Sequence, residues 1–305
     1  MSNIDKIERL RKLGAVASIS VAVTLAVTKI AATVLTDSLA VMSSMVDSLA
    51  DIVASSITFF SVKMALKPPS KKHRYGLGKV EALSALAQSA FIGVSGFFIA
   101  FDVFRNAFNP APVVSGKLGI YVMVFSIIMT IILVFFQRYI AKKTSSLALE
   151  ADAANYKGDI ATNFSIIFAL VMVEYFNLKW FDPLVAMIVA SYLIRNAYNI
   201  ARKAIKMLLD HELPEDIRLQ LNDIIKNNAF VFGLHDLRTR DTGTEEIFEF
   251  HLELDGSLTL DKAHELTHKV EDQIKEAFPK SQVIIHQEPH GLNDERLDYK
   301  ISGND

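Results

Sequence analysis

The sequence predicts an α-helical membrane protein with six transmembrane helices and a C-terminal cytoplasmic α+β domain. Three observations carry that prediction. Apolar residues form long runs between Ala15 and about Ile205, and a spanning helix needs roughly 20 such residues in succession. Positive charge gathers at one side of these runs, and the chain after Asp210 reads as ordinary water-soluble sequence. The mean hydropathy over 305 residues is +0.28, which is high for a soluble protein.

The six spans are expected at about 15–35, 39–64, 82–107, 115–139, 149–175 and 180–204. Thr36-Asp37 breaks the first pair, and the run from Lys67 to Arg74 separates the second from the third. Asn109-Pro110-Ala111-Pro112, the stretch from Ala141 to Thr144, and Asn177 to Asp182 mark the later breaks. The charged start, MSNIDKIERLRKLG, has the polarity of a signal peptide. Its apolar continuation runs on to Leu35, so it reads as a retained first span.

Orientation follows from charge. Lys6, Arg9, Arg11 and Lys12 precede the first span, and Lys63, Lys67, Lys71, Lys72, Arg74 and Lys79 surround the second loop. Arg138, Lys142 and Lys143 follow span four, and Arg202, Lys203 and Lys206 follow span six. The opposite loops hold little beyond Arg105, Lys117 and Lys179. Positive charge near span ends marks the cytoplasmic side, so both termini are expected there, as an even number of spans requires. The division is a membrane domain over 1–208 and a cytoplasmic domain over 209–305.

The tail changes rhythm. Pro214 to Asn227 reads as a helix that starts at the proline. Gly233 to Arg240 reads as a strand, Asp241-Thr242-Gly243 as a turn, and Ile247 to Leu254 as a half-buried strand by its alternation. Leu260 to Phe278 is an amphipathic helix with Thr259 as its cap, and Gln282 to His286 is a last strand. The order α-β-β-α-β suggests a small layered domain.

Composition excludes several functions. The net charge of −2 gives no reason to expect a nucleic-acid partner, and the absence of cysteine removes disulfides and thiolate metal sites. No Gly-rich phosphate loop, nucleophile with a base, or paired-histidine zinc motif supports an enzyme.

The chemistry lies in the intramembrane acids. Asp47 and Asp51 sit near the middle of span two, and each costs roughly 2.5–3.5 kcal/mol there on the insertion scale. Their i, i+4 spacing puts both on one helix face, where two bare carboxylates repel. A divalent cation between them turns repulsion into binding. The bland alternative is that they hold protons or pair with a basic residue, yet no Lys or Arg is expected in the central stretch of any span except Lys157. Span five repeats the arrangement with Asn155 and Asp159, whose oxygens suit a hard cation. Two facing pairs supply four side-chain ligands. Asp152, nearer the cytoplasm, is expected to be an entrance or helix-start acid, and Asp102 beside Arg105 a surface pair.

These residues carry a resemblance. Asp47-Ser-Leu-Ala-Asp51, Gly76-Leu-Gly-Lys79-Val-Glu81 and Ala151-Asp152-Ala-Ala-Asn155-Tyr-Lys-Gly-Asp159 mark the membrane part. His235-Asp-Leu-Arg-Thr-Arg240, His251-Leu-Glu253 and Ile285-His286-Gln287-Glu288-Pro289 mark the tail. Over nearly its whole length the chain resembles the cation diffusion facilitator family, bacterial zinc/iron efflux type. The resemblance implies a homodimer in the bacterial inner membrane, contacting lipid, with a metallochaperone-like tail. It implies efflux of a divalent metal (Zn, Fe, Mn or Cd) against protons, by alternating access. It places a second metal site, expected to hold zinc, at His235, His251, His264, His286, Gln287 and Glu288. It also pairs Lys79 with Asp210 near the cytoplasmic interface.

The chain departs from the family pattern in several places. Zinc-carrying members usually have His where Asn155 stands, and an oxygen-only site suits iron or manganese better than zinc. Two ligands of a loop site are replaced by Ser70 and Leu77, which leaves His73 as a weak ligand on a solvated loop. The usual Asp is replaced by Glu288. His268 and His290 are expected to be solvated. The competing class is a non-transporting metal sensor or scaffold that binds through the tail histidines. Three acids kept in the membrane argue against it.

Overall fold

A computed structural model describes residues 3–36, 39–106, 117–176, 181–292 and 296–301, which fall into two compact units, 1–205 and 206–305. The first is built from α1 (Asn3–Thr36), α2 (Leu39–Ala65), α3 (Val80–Asn106), α4 (Lys117–Thr144), α5 (Leu147–Phe176) and α6 (Phe181–Leu208). Each helix lies on an expected span. The charged N-terminal segment is helical and continuous with the first. The breaks at Asp37, Asn109–Pro112 and Asn177 lie outside the described residues, as does the side chain of Asp102.

Five of these helices, α1, α2, α3, α4 and α6, are long and apolar enough to cross a membrane. The sixth, α5, has 30 residues, but Glu150, Asp152, Lys157 and Asp159 interrupt its first half. Outward-facing Val34, Phe97, Tyr121, Phe135 and Phe164 are 62% to 74% exposed. Such a surface is a liability in water and the natural exterior against hydrocarbon, where a helix satisfies its own backbone.

The interior mixes small apolar residues, chiefly alanine, with buried polar side chains. A Cβ added at Gly158 would lie 2.8 Å from the Leu193 side chain, and one at Gly96 would lie 3.2 Å from the Ala190 carbonyl. Glycine at these two positions lets α6 approach α5 and α3 closely. Ser18 donates to the Asp152 carboxylate, Gln137 Nε2 donates to the same Oδ2 at 2.5 Å, and the Ser18 and Ser55 hydroxyls share a bond of 2.8 Å. Tyr156 joins Ser55 at 2.8 Å. This network ties α1, α2, α4 and α5 together. Near the start of α3, Arg11 pairs with Glu81 at 3.3 Å and donates to the Thr144 carbonyl at 2.6 Å, while Ser146 donates to Glu81. Both charged residues are buried, at 4% and 2% exposure.

The second unit contains α7 (Glu215–Lys226), β1 (Gly233–Asp241), β2 (Glu246–Leu254), α8 (Leu260–Ala277), β3 (Ser281–Pro289) and a short α9 (Leu297–Ile301). The expected α-β-β-α-β order is present, with α9 added. Thr259 caps α8 by accepting from the Lys262 N–H. The sheet order is β1-β2-β3, antiparallel between the first two strands and parallel between the last two. A parallel pair needs a crossover, and α8 supplies it. Phe248, Phe250, Leu252 and Leu254 of β2 form a core with Leu221, Ile225, Val270 and Ile274 of the helices. Each such side chain contributes about 1.5–3 kcal/mol on burial. Alternate residues of β2 therefore face the other side of the sheet. β3 runs four residues beyond the expected start and end together, because pairing with β2 continues to Leu254↔Pro289 after the apolar alternation stops.

Candidate metal centres

Asp47, Asp51, Asn155 and Asp159 line one cavity of about 290 Å³ within the helical unit. Asp47 and Asp51 come from α2, and Asn155 and Asp159 from α5. Polar residues of other helices, Ser95, Ser126 and Thr130 among them, complete the wall. Asn155 Nδ2 donates to Asp51 Oδ1 at 3.2 Å, and Asp159 Oδ2 is buried with no hydrogen-bond partner among the described residues. A buried carboxylate oxygen without a donor is costly, and a cation is what such an oxygen can accept. The donor set is oxygen only, which suits hard divalent ions.

Two features of this cavity depart from the sequence reading. Lys29 of α1 lines the same space, is 9% exposed, and interacts electrostatically with Asp51, Asp159 and Asp47. The expectation that only Lys157 brings a basic group inside the spans is corrected. A single lysine six residues from the end of a predicted span reads as one that reaches out to the interface, and only packing shows otherwise. Asp152 is not an entrance acid. It has zero exposure and accepts from Ser18 and Gln137, because the α5 residues on that face turn into the helix bundle. Lys157 instead lies over the Tyr192 ring at 5.3 Å.

The second candidate site is on the sheet. His235, His251 and His286 are cross-strand neighbours in one row, with ring centroids 5.0 and 4.7 Å apart. Glu253 and Glu288 pair in the next row of the same face. His235, His251 and Glu288 each offer a ligand atom within 4.8 Å of the others. Glu288 Oε1 is 2.6 Å from His251 Nδ1 and 3.4 Å from His286 Nε2. His235 lies between two carboxylates, with Nδ1 3.2 Å from Glu253 and Nε2 3.2 Å from Glu288. Neither contact has hydrogen-bond geometry, and both ring nitrogens and Glu288 Oε2 are buried without hydrogen-bond partners among the described residues. A neutral imidazole has one N–H and one lone pair, so it cannot satisfy both carboxylates. A zinc ion against Nε2, His251 and Glu288 would resolve the conflict, and two imidazoles with a carboxylate fit its preferences.

The remaining predicted ligands sit elsewhere. Gln287 is in register with Leu252, on the helix-covered side of the strand alternation. His264 is on α8, with its ring 4.4 Å from that of His268. Because α8 covers the opposite face of the sheet, His264 does not join the histidine row of its own chain. His268 is largely exposed beside Glu271. His290 is 56% exposed but not simply solvated, since its Nδ1 is 2.7 Å from Glu253 and its ring stacks on Phe232. Glu253, absent from the predicted set, also receives Arg296 at 2.7 Å. Burial alone would raise the Glu253 carboxyl, but His290, Arg296 and His235 hold it below the usual carboxylate range. The two-residue step from His251 to Glu253 was the signal that could have placed it. A Cβ at Gly233 would come within 2.8 Å of the Glu253 carboxylate, so glycine there makes room for it. His73 is exposed in a turn closed by Ser70. Asp210 faces Arg240 at 3.7 Å, and Lys79 stands just before α3.

Residues 15–209 match the cation efflux transmembrane domain family, and residues 213–290 match the cytoplasmic domain of cation efflux proteins. The chain belongs to the cation efflux family. The cation-efflux pump FieF of Shewanella oneidensis is 41% identical to this transporter over 278 residues, covering 91% of its chain and 94% of the relative. Protein p34 of Rickettsia rickettsii is 35% identical over 296 residues, 96% of each chain. The metal-bound C-terminal domain of the CzcD transporter from Thermotoga maritima is 28% identical, covering 26% of this chain and 94% of that one, with a TM-score of 0.25.

Proposed function

We propose that the transporter exports a divalent metal ion in exchange for protons, with Asp47, Asp51, Asn155 and Asp159 as its transport site. The observation that carries this reading is the convergence of all four on one polar cavity, where Asp159 keeps a buried oxygen without a donor. Carboxylates bind metal only when deprotonated, so ion and protons compete for the same oxygens. That competition supports antiport. Asn155 brings no imidazole, which favours iron or manganese over zinc as substrate. The positive charge around the inner loops favours a bacterial inner-membrane orientation with both termini in the cytoplasm. The sheet row of His235, His251, His286 and Glu288 is a regulatory zinc site, completed in a homodimer by His264 and Gln287. His73, exposed on its loop, contributes little.

Metal flux in proteoliposomes tests the site. Asp51→Ala abolishes transport while leaving metal bound at the tail. Flux that survives this change would point instead to a protein that senses metal through its tail. Asn155→His shifts the preference toward zinc, and an unchanged zinc/manganese ratio would remove the selectivity argument.

A further inference from the structure

We infer that Lys29 is the fixed counter-cation of the transport cavity and sets its match to a divalent charge. The inference rests on reading that cavity as the transport site. Lys29 is seven residues from the end of α1, about 10 Å along the axis. A lysine so placed in an apolar helix can extend its stem toward the interface. This one is instead 9% exposed and lines the cavity with Asp47, Asp51 and Asp159.

Charge balance gives this placement its meaning. Among the described residues that line the cavity, three carboxylates and one ammonium, with Asn155 neutral, carry two net negative charges when all are ionised, while Asp152 behind them accepts from Ser18 and Gln137. A divalent ion brings the cavity to zero. A monovalent ion leaves one charge uncompensated, and a trivalent ion overshoots by one. Uncompensated charge in a poorly solvated interior is the expensive state, so the neutral combination is the favoured one. Without Lys29 the cavity would carry three negative charges. It would then hold a divalent ion too tightly to release it readily, and it would be matched to a trivalent one. Lys29 is thus a specificity-determining residue that need not touch the ion.

The test compares Mn²⁺ and Tb³⁺ binding to the full-length protein, subtracting the signal that remains in Asp51→Ala so that tail binding is removed. Coulomb repulsion between an ammonium and a divalent ion is felt even at about 12 Å with an effective dielectric of about 20. Lys29→Met is therefore expected to tighten Mn²⁺ binding on the order of a hundredfold. Because the repulsion scales with ion charge, Tb³⁺ binding tightens about tenfold more than Mn²⁺ binding does. Lys29→Arg, which keeps the charge, stays near the parent for both ions. A merely structural lysine would not change the Tb³⁺/Mn²⁺ ratio. If Lys29→Met does not fold, Lys29→Gln is read in the same way. A folded neutral variant with unchanged or weaker Mn²⁺ affinity, or with the parent's Tb³⁺/Mn²⁺ ratio, overturns the assignment of Lys29 alone. Binding and flux that both survive Asp51→Ala overturn the transport-site reading, and this inference with it.

Discussion

Replacing Glu81 by Ala removes the carboxylate that Arg11 meets at 3.3 Å and that Ser146 donates to. Both charged side chains are almost fully buried, at 5% and 2% exposure, so water does not readily take the place of the lost partner. The Thr144 carbonyl, 2.6 Å from Arg11, is among the contacts that remain, and a carbonyl dipole does not neutralise a guanidinium. Breaking a buried pair from one side costs about 3–5 kcal/mol, whereas replacing both partners with apolar residues of similar volume is often near neutral. Glu81→Ala and Arg11→Ala are therefore each expected to destabilise the helical unit by about 3–5 kcal/mol, a large part of a typical stability of about 5–15 kcal/mol. Arg11→Met combined with Glu81→Met should lose much less than the two single changes together, with a coupling energy at the upper end of about 0.5–3 kcal/mol. The assay is loss of helical ellipticity with heat or rising SDS in purified protein, run as a double-mutant cycle. Additive losses, or a Glu81→Ala variant as stable as the parent, would refute the argument that the pair is energetically isolated from water.

Gly233→Ala places a Cβ 2.8 Å from the Glu253 carboxylate. Because Glu253 lies 3.2 Å from His235 Nδ1 and outer-shell partners of a ligand are worth about 10–100-fold in metal affinity, zinc binding at the proposed tail site should weaken about tenfold in competition with a chelating dye, with metal flux unchanged. Asp236 gives a pH prediction. Burial would raise its carboxyl, but the Leu297 and Asp298 N–H groups and the neighbouring histidines hold it below the usual range. A carboxyl lowered by folding stabilises above its unfolded value of about 3.9, and that contribution disappears as pH falls through the lowered value. In an acid titration of thermal stability the parent should lose this increment below about pH 4, and Asp236→Asn should show less change over that interval. Equal slopes for the two proteins would count against the reading.

Much of the fold is written in local pattern. The alternation from Ile247 to Leu254 specifies β2 and its buried face, and Thr259 marks the start of α8. Spacing was also enough to bring Asp47 and Asp51 to one helix face, and Asn155 and Asp159 to another. What spacing does not contain is which helices share a cavity. Lys29 is one cation in an apolar run, and its role depends on α1 packing beside α2 and α5, a long-range fact. Asp152 was misplaced for the same reason, since its partners Ser18 and Gln137 are 134 and 15 residues away. Gln287 is a different case. It stands between His286 and Glu288 on a strand, so the period of two already sets its side chain against theirs. There the motif is continuous in sequence, and the strand geometry divides it.

The Ser18–Ser55–Tyr156 chain and the Gln137–Asp152 bond have a mechanical consequence. Turning any one of α1, α2, α4 or α5 against the others would strip hydrogen bonds in a place where water cannot replace them at once. At Gly96 and Gly158, α6 meets its neighbours through the flat backbone of α3 and α5, against side chains of Ile194 and Leu193. Apolar contact of that kind slides at little cost over a small distance. The hydrogen-bonded α1, α2, α4 and α5 are therefore expected to move as one block, and a slide of α6 at its two glycine contacts is the displacement that breaks fewest of these bonds.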